Sequence, residues 1–258
     1  MAFQNVLYDV AEQVATIQIN RPEARNALNS DTLLELITAF GLAKQDPAVR
    51  VVVLTGAGDK AFCAGGDLQG FMQSNDDGVD RHSYFVYLFE AMAKLGKPIV
   101  GAVNGHCLAG GFGVALACDL LVASDKATFG TPEINVGLWP HMIMAVIFRN
   151  IGRKKGMELL MLGDKIDAAT AERWNLINWI TPHDQVKAKA REVALTLAKK
   201  SPLAMRMGRD GFYTQQDMEY LQALSFLKSQ LALTLGSEDA KEGIAAFFEK
   251  REPNWRGR

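Results

Sequence analysis

Residues 98–119 place the tightest constraint on what this chain can fold into. The apolar run Pro98-Ile99-Val100-Gly101-Ala102-Val103 passes through Asn104-Gly105-His106-Cys107-Leu108 to Ala109-Gly110-Gly111-Phe112-Gly113. A small-residue run, Val114 to Cys118, then precedes Asp119. The pattern predicts a buried strand, a glycine-bearing turn and the start of a buried helix. Glycine has no Cβ, so the backbone there can approach a ligand, and the first N–H groups of a helix lack intrahelical partners and can hold an anion. The same glycines also suit close packing of a helix on a strand, so this stretch alone leaves both readings open. A second segment echoes the first. Val51 to Leu68 runs strand, glycine turn and Ala64-Gly65-Gly66, about 45 residues before Ala109-Gly110-Gly111, which predicts a repeated strand-turn-helix unit.

The chain has 258 residues, 48% apolar and 22% charged, which suits one large domain or a domain with an appendage. Lys+Arg 28 against Asp+Glu 29 leave a net charge of −1, so no basic field advertises nucleic acid and none is expected as a partner. The N-terminal residues lack a basic leader and an apolar h-region, and no stretch is apolar enough to span a bilayer, so a cytoplasmic protein off the membrane is expected. Cys63, Cys107 and Cys118 are odd in number and lack metal-ligand spacing, which predicts buried, reduced thiols and no metal site.

In chain order, Val14 to Ile19 alternates as a half-buried strand and ends at Asn20-Arg21-Pro22-Glu23. Ser30 and Asp31 are expected to cap a helix with Leu33, Leu34, Ile37 and Phe40 inward, ended by Asp46-Pro47. A strand follows over Val51 to Thr55. Tyr84 to Leu95 reads as an amphipathic helix with Phe85, Leu88 and Met92 toward the core, and Leu120 to Ala123 as a strand. Glu133 lies among apolar residues, which suits either a solvated edge or a desolvated acid whose pKa rises toward the range useful for proton transfer. Pro140 starts a helix from His141 to Arg149, and Arg153, Lys154 and Lys155 open another. Helices are expected over 168–176, 185–200, 217–235 and 237–251, with a short strand at 177–180 and Ser237 as a cap. The stripe Leu221, Leu224, Phe226, Leu227 and Leu231 exceeds what one soluble helix needs, so it packs on its own domain or on a neighbouring copy.

Several chemistries lack their motifs. No G-x-S-x-G, G-x-x-x-x-G-K-[ST] or H-E-x-x-H occurs. Gly56-Ala57-Gly58-Asp59-Lys60-Ala61 fits the relaxed dinucleotide fingerprint G-x-G-x-x-A, but Phe62-Cys63-Ala64-Gly65-Gly66 follows where a helix should open, and residues 76–80 read as a loop. The fingerprint is therefore read as a decoy. His82, His106 and His183 are read as hydrogen-bonded structural residues, and His141 is kept as a site candidate.

Four motifs, taken together, resemble the crotonase superfamily, the enoyl-CoA hydratases and isomerases. They are Asn20-Arg21-Pro22-Glu23-Ala24-Arg25-Asn26-Ala27-Leu28-Asn29, Ala61-Phe62-Cys63-Ala64-Gly65-Gly66-Asp67-Leu68, Gly105-His106-Cys107-Leu108-Ala109-Gly110-Gly111 through Cys118-Asp119, and Phe129-Gly130-Thr131-Pro132-Glu133. The tail from Glu242-Gly243 to Arg251 resembles the family's C-terminal end. The resemblance implies an α/β spiral of strand-strand-helix turns over residues 1–195, carrying the acyl-CoA site. It also implies a helical oligomerisation region over 196–258, usually assembled as trimers or dimers of trimers. It makes Gly66 and Gly110 the donors of two N–H groups to the thioester oxygen, and Glu133 the proton-transferring acid. Ala24, Arg25, Ala27, Ala64, Gly65, Asp67 and Leu68 are then expected to contact the substrate, with Phe247 and Lys250 reaching its nucleotide end, often from a neighbouring subunit. Coenzyme A enters as part of the substrate and no separate cofactor is implied.

One departure from the family pattern bears on the reaction. Family hydratases place a glutamate three residues after the second oxyanion glycine, and this chain has Gly113 there. A single carboxylate suffices to move a proton between carbons, so enoyl-CoA isomerisation is the leading expectation. Hydration by Glu133 with a non-standard second group, from His141 or from Asp76, Asp77 or Asp80, is the alternative. A non-catalytic acyl-CoA-binding or partner-binding protein is the reading from a different class.

Overall fold

The computed structural model describes residues 3–67 and 83–258. Its organising feature is a chain that winds back and forth between two sheets. Strands β1 (Val6–Ala11) and β2 (Val14–Ile19) form a hairpin, helix α1 (Ser30–Gln45) follows, and then the repeat begins. β3 (Val51–Gly56) and β4 (Ala61–Cys63) precede helix α2 (Ser83–Ala93). β5 (Ile99–Val103) and β6 (His106–Leu108) precede helix α3 (Gly110–Leu116). β7 (Leu120–Ser124) and β8 (Thr128–Gly130) precede a short 3-10 turn over Pro132–Val136. Each turn gives one strand to a six-stranded sheet, ordered β1-β2-β3-β5-β7-β10 with β10 at Trp179–Thr181, and one to a four-stranded sheet, ordered β4-β6-β8-β9 with β9 at Lys165–Asp167. Successive turns stack in parallel register, Val52 on Ile99, Val100 on Leu120 and His106 on Thr128. The repeat read from the two Ala-Gly-Gly segments is thus a spiral of strand-strand-helix turns.

After the third turn come α4 (His141–Asn150), α5 (Arg153–Leu162), β9 (Lys165–Asp167), α6 (Ala168–Arg173), β10 (Trp179–Thr181) and α7 (Val186–Ala198). Three further helices complete the chain, α8 (Pro202–Gln215), α9 (Tyr220–Gly236) and α10 (Glu238–Glu249). All six residues of β3 are buried, because the main core packs on one face while Val186, Ala190, Val193 and Ala194 of α7 cover the other. Burial on both faces explains why Val51 to Leu54 reads as a continuous apolar run rather than an alternating one. The three thiols are free and buried, and desolvation holds all of them above their ordinary pKa, Cys63 at about 12.

Several local expectations shift. The cap of α1 is Asn29, one residue before the expected Ser30, and its Oδ1 accepts from the Thr32 N–H at 2.9 Å. The buried face of that helix is Leu33, Leu36 and Phe40, while Leu34 is 49% exposed. Replacing Asn29 by alanine is expected to cost about 1 kcal/mol, read as a lower urea midpoint with an unchanged slope. Helix α8 was not anticipated, because its inward face carries Arg209 and Gly211 instead of large apolar residues. Arg209 donates from Nε to both Asp119 oxygens, at 3.0 and 2.8 Å, and from its terminal nitrogens to the carbonyls of Ala93 and Met92 at 2.7 Å. Asp119 also accepts from the Ile99 N–H. One buried guanidinium thereby ties α8 to the end of α2 and the start of β5. The stripe on α9 is not covered by its own chain, since Leu221 is 73% and Leu231 59% exposed. Ser237 caps α10 as expected, accepting from the Ala240 N–H. No helix among the described residues is long and apolar enough to cross a membrane.

The dinucleotide-like motif is a corner between the sheets. Gly56 ends β3 and Ala61 starts β4, with no helix between them. A Cβ on Gly56 would meet the Ala61 and Phe62 carbonyl oxygens at 2.5 and 2.4 Å, so the glycine serves chain packing.

Candidate active site

Two loops far apart in sequence are joined first. The Arg25 carbonyl accepts from the Ala64 N–H, the Gly65 carbonyl from the Leu28 N–H, and the Leu28 carbonyl from the Asp67 N–H. The buried Asn26 side chain donates to the carbonyls of Ala57 and Ala61, at 3.0 and 2.8 Å, and accepts from the Arg21 N–H. Arg21 in turn pairs with Asp67 at 3.0 Å. Ala24, Arg25 and Ala27 are therefore held against Ala64, Gly65 and Asp67, the two segments that the family resemblance implies contact the substrate. Arg25 itself is exposed, in a left-handed backbone conformation.

A third loop packs against these two. Gly65 has φ +108°, and a Cβ there would lie 2.5 Å from that of Ala109, so only glycine suits the position. Ala109 has φ 52°, a conformation an alanine adopts at a cost, and it directly precedes Gly110. The result is that Gly66 and Gly110 sit side by side, a Cβ built on Gly110 lying 3.6 Å from the Gly66 nitrogen. Neither of their N–H groups is donated to a backbone acceptor among the described residues. Two adjacent, unspent N–H donors are suited to an oxygen that gains negative charge.

Both glycines open into a cavity of about 530 Å³ whose other walls include Phe85, Trp139, Ile143 and Glu133. Glu133 is carried on the 3-10 turn after Pro132, and it is the one carboxylate among the described residues that lines the cavity. Its Oε2 is buried without a hydrogen-bond partner. Desolvation raises its pKa, opposed in part by a hydrogen bond from its own backbone N–H. An acid in this state holds a proton more readily than a solvated carboxylate and can exchange it with a bound molecule.

The remaining candidates separate. His141 lines the same cavity and is exposed. His106 and His183 are engaged through Nδ1 with Thr128 and Ser124, as structural histidines are. Leu68, Asp76, Asp77, Asp80 and His82 lie outside the described residues. Phe247 lines a different cavity, among the C-terminal helices, and Lys250 caps α10 in a left-handed conformation. In a single chain these two are not brought to the Glu133 cavity.

Sequence reasoning missed what fills the place of the absent side chain at Gly113. A Cβ there would lie 2.1 Å from Ile143 Cγ2, 2.6 Å from Ile143 Cβ and 3.3 Å from Phe89 Cζ. Ile143, reaching across from α4, occupies the space into which a side chain at 113 would project. The signal was the bulky run His141-Met142-Ile143, in a stretch where the resemblance leads one to expect small residues.

Comparison with known proteins gives the family. The model of the family described as enoyl-CoA hydratase/isomerase matches residues 9–258. A crotonyl-CoA hydratase of Syntrophomonas wolfei is 34% identical over 99% of both chains. A short-chain-enoyl-CoA hydratase of Clostridium acetobutylicum is 32% identical over 98% of this chain and 97% of its own. The crystal structure of an enoyl-CoA hydratase from Bacillus anthracis superposes with a TM-score of 0.94 at 31% identity, covering 99% of this chain and all of its own. With its spiral fold, paired glycine amides and full-length match, this chain belongs to the enoyl-CoA hydratase/isomerase family of the crotonase superfamily.

Proposed function

We propose that the protein is an enoyl-CoA hydratase that works with one carboxylate, Glu133. The observation that carries this reading is an unpartnered, desolvated carboxylate oxygen in the same cavity as two amides that, among the described residues, donate to no backbone acceptor. The names of the relatives support hydration, and they lend no support to the preference for isomerisation drawn from Gly113 alone. Water adds its oxygen to the β-carbon of the enoyl thioester as Glu133 takes the water's proton. The electron pair of the double bond moves onto the thioester oxygen, where the Gly66 and Gly110 N–H groups hold it. Each such donor lowers the barrier by roughly 2.7–4 kcal/mol. Glu133 then returns the proton to the α-carbon, which restores the carbonyl and gives a 3-hydroxyacyl-CoA. Since one carboxylate on one face performs both transfers, hydrogen and hydroxyl arrive on the same face.

The loop of Ala24, Arg25 and Ala27 with Ala64 to Leu68 holds the coenzyme A portion, Arg25 pairing with phosphate. Phe247 and Lys250 serve the nucleotide end from a second copy, and the uncovered leucine stripe of α9 supports assembly into trimers. A 2-enoyl-CoA should lose its enoyl-thioester absorbance and gain the mass of one water. Absence of that product with every acyl chain tried would refute the reading. Conversion of a 3-enoyl-CoA to its isomer of equal mass, without hydration, would establish the second reading, which the single carboxylate and Ile143 favour.

Hydration requires the ionised form of Glu133 at the outset. Because burial raises its pKa in the free protein, kcat/KM should climb with pH along a limb centred above the ordinary glutamate range. Glu133→Gln should abolish that limb.

A further inference from the structure

We propose that Ile143 is the floor of the acyl cavity and limits the enzyme to short or compact acyl groups. This inference rests on the proposed acyl-CoA substrate. A second cavity, of about 740 Å³, lies along the same three helices as the first. Helix α2 presents Phe85 to the first cavity and Phe89 to the second, α3 presents Gly110 to the first and Leu116 to the second, and α4 presents Ile143 to the first and Val146 to the second. The two spaces are thus opposite ends of one gap between the helices. They are divided where Ile143 and Phe89 close on the bare backbone of Gly113.

The dividing side chain is poorly able to move. Ile143 is 3% exposed, and its Cγ2 already fills the position of a Cβ on Gly113. A β-branched residue inside a helix is confined almost to one χ1 rotamer, so Ile143 cannot swing aside as its neighbours Met142 and Met144 can. An acyl chain entering past Glu133 therefore meets a fixed wall, although apolar space lies beyond it. Phe89, Leu116, Val146 and Phe212 line that space together with Arg149, Asn150 and Gln216, and each nitrogen of the Arg209 guanidinium there already donates to Asp119 or to a carbonyl of α2.

The test is a chain-length series of 2-enoyl-CoA thioesters for turnover and of saturated acyl-CoA thioesters for binding by calorimetry. It is run on the full-length protein and on Ile143→Ala, Ile143→Val, and Ile143→Gly combined with Gly113→Val. In the parent, kcat/KM and Kd should stop improving after short chains. Ile143→Ala should shift the long-to-short ratio of kcat/KM by about tenfold or more toward long chains, and Ile143→Val should shift it less in the same direction. Ile143→Gly with Gly113→Val, which leaves no Cβ at 143 for the valine to meet, should keep the ratio near the parent's by rebuilding the wall from α3. A parent that takes long chains as well as short ones, or an Ile143→Ala ratio equal to the parent's, would overturn the assignment. If no thioester is turned over but saturated chains still show the break in Kd, the floor stands and the hydratase reading falls. If Ile143→Ala does not fold, the Ile143→Val shift and the parent's binding series decide the question.

Discussion

Replacing Glu133 by glutamine should lower kcat by about two to four orders of magnitude while leaving acyl-CoA binding within a few-fold of the parent's. Glutamine keeps the shape of the side chain and loses the ability to take and return a proton. The effect should fall on kcat, because the transfer happens in the transition state and the thioester is held by other groups. Stability should not fall with it. Burial makes the folded state bind the Glu133 proton more tightly than the unfolded chain does. The stabilisation that goes with this raised pKa is present below the ordinary glutamate range and is lost as pH rises through the raised value. At neutral pH the uncharged glutamine removes the penalty of a desolvated carboxylate, so the variant should unfold at the same or a higher urea concentration. A loss of activity accompanied by lower stability would point to misfolding instead of missing chemistry.

Gly113→Glu, the substitution that installs the glutamate expected from the family pattern, should destabilise the protein by about 3 kcal/mol or more and lower hydration. Its Cβ alone would lie 2.1 Å from Ile143 Cγ2 and 2.6 Å from Ile143 Cβ, and overpacking of a core costs about 1–3 kcal/mol before any charge is considered. The carboxylate would add the cost of an unpaired charge among apolar side chains. Because Ile143 Cβ itself is in the way, alanine at 143 does not make room and glycine does. The double variant Gly113→Glu with Ile143→Gly should recover most of the lost stability and bring the hydration rate to the parent's level or above it. The two sites are therefore coupled, and the coupling energy of the double-mutant cycle measures how far Ile143 has taken over the space of a second acid. Independent effects at the two positions would mean that the packing around Gly113 relaxes more than the contacts suggest.

What could be read from the chain followed from how strongly each residue type restricts its own backbone. The glycines at 65, 66, 110 and 111, together with the apolar runs before them, announced the repeated turn, because a strand buried on both faces is a short unbroken apolar run. Edge strand β1 gave little signal, since five of its six residues are not fully buried and alternation has no core to answer to. Helix α8 was hidden for the opposite reason, as its buried face satisfies a guanidinium instead of burying leucines. Glu133 was legible as an acid among apolar residues, yet its state depended on burial that neighbours in sequence do not fix. Ile143 was the least legible of all. It lies 30 residues from Gly113 in the chain, and only the packing of α4 on α3 shows that the absence of one side chain and the bulk of another are a single feature.

The central claim, that Glu133 moves a proton at the carbon beside the thioester while the Gly66 and Gly110 amides hold the oxygen, is tested most directly in deuterated water. A 2-enoyl-CoA is incubated with the parent protein and with Glu133→Gln, and the α-carbon of the product is examined by mass spectrometry and proton resonance. The parent should deliver one solvent deuterium to the α-carbon, on the face that receives the hydroxyl, and Glu133→Gln should deliver essentially none in the same time. Equal deuterium incorporation by the two proteins, or delivery to the opposite face, would contradict the account.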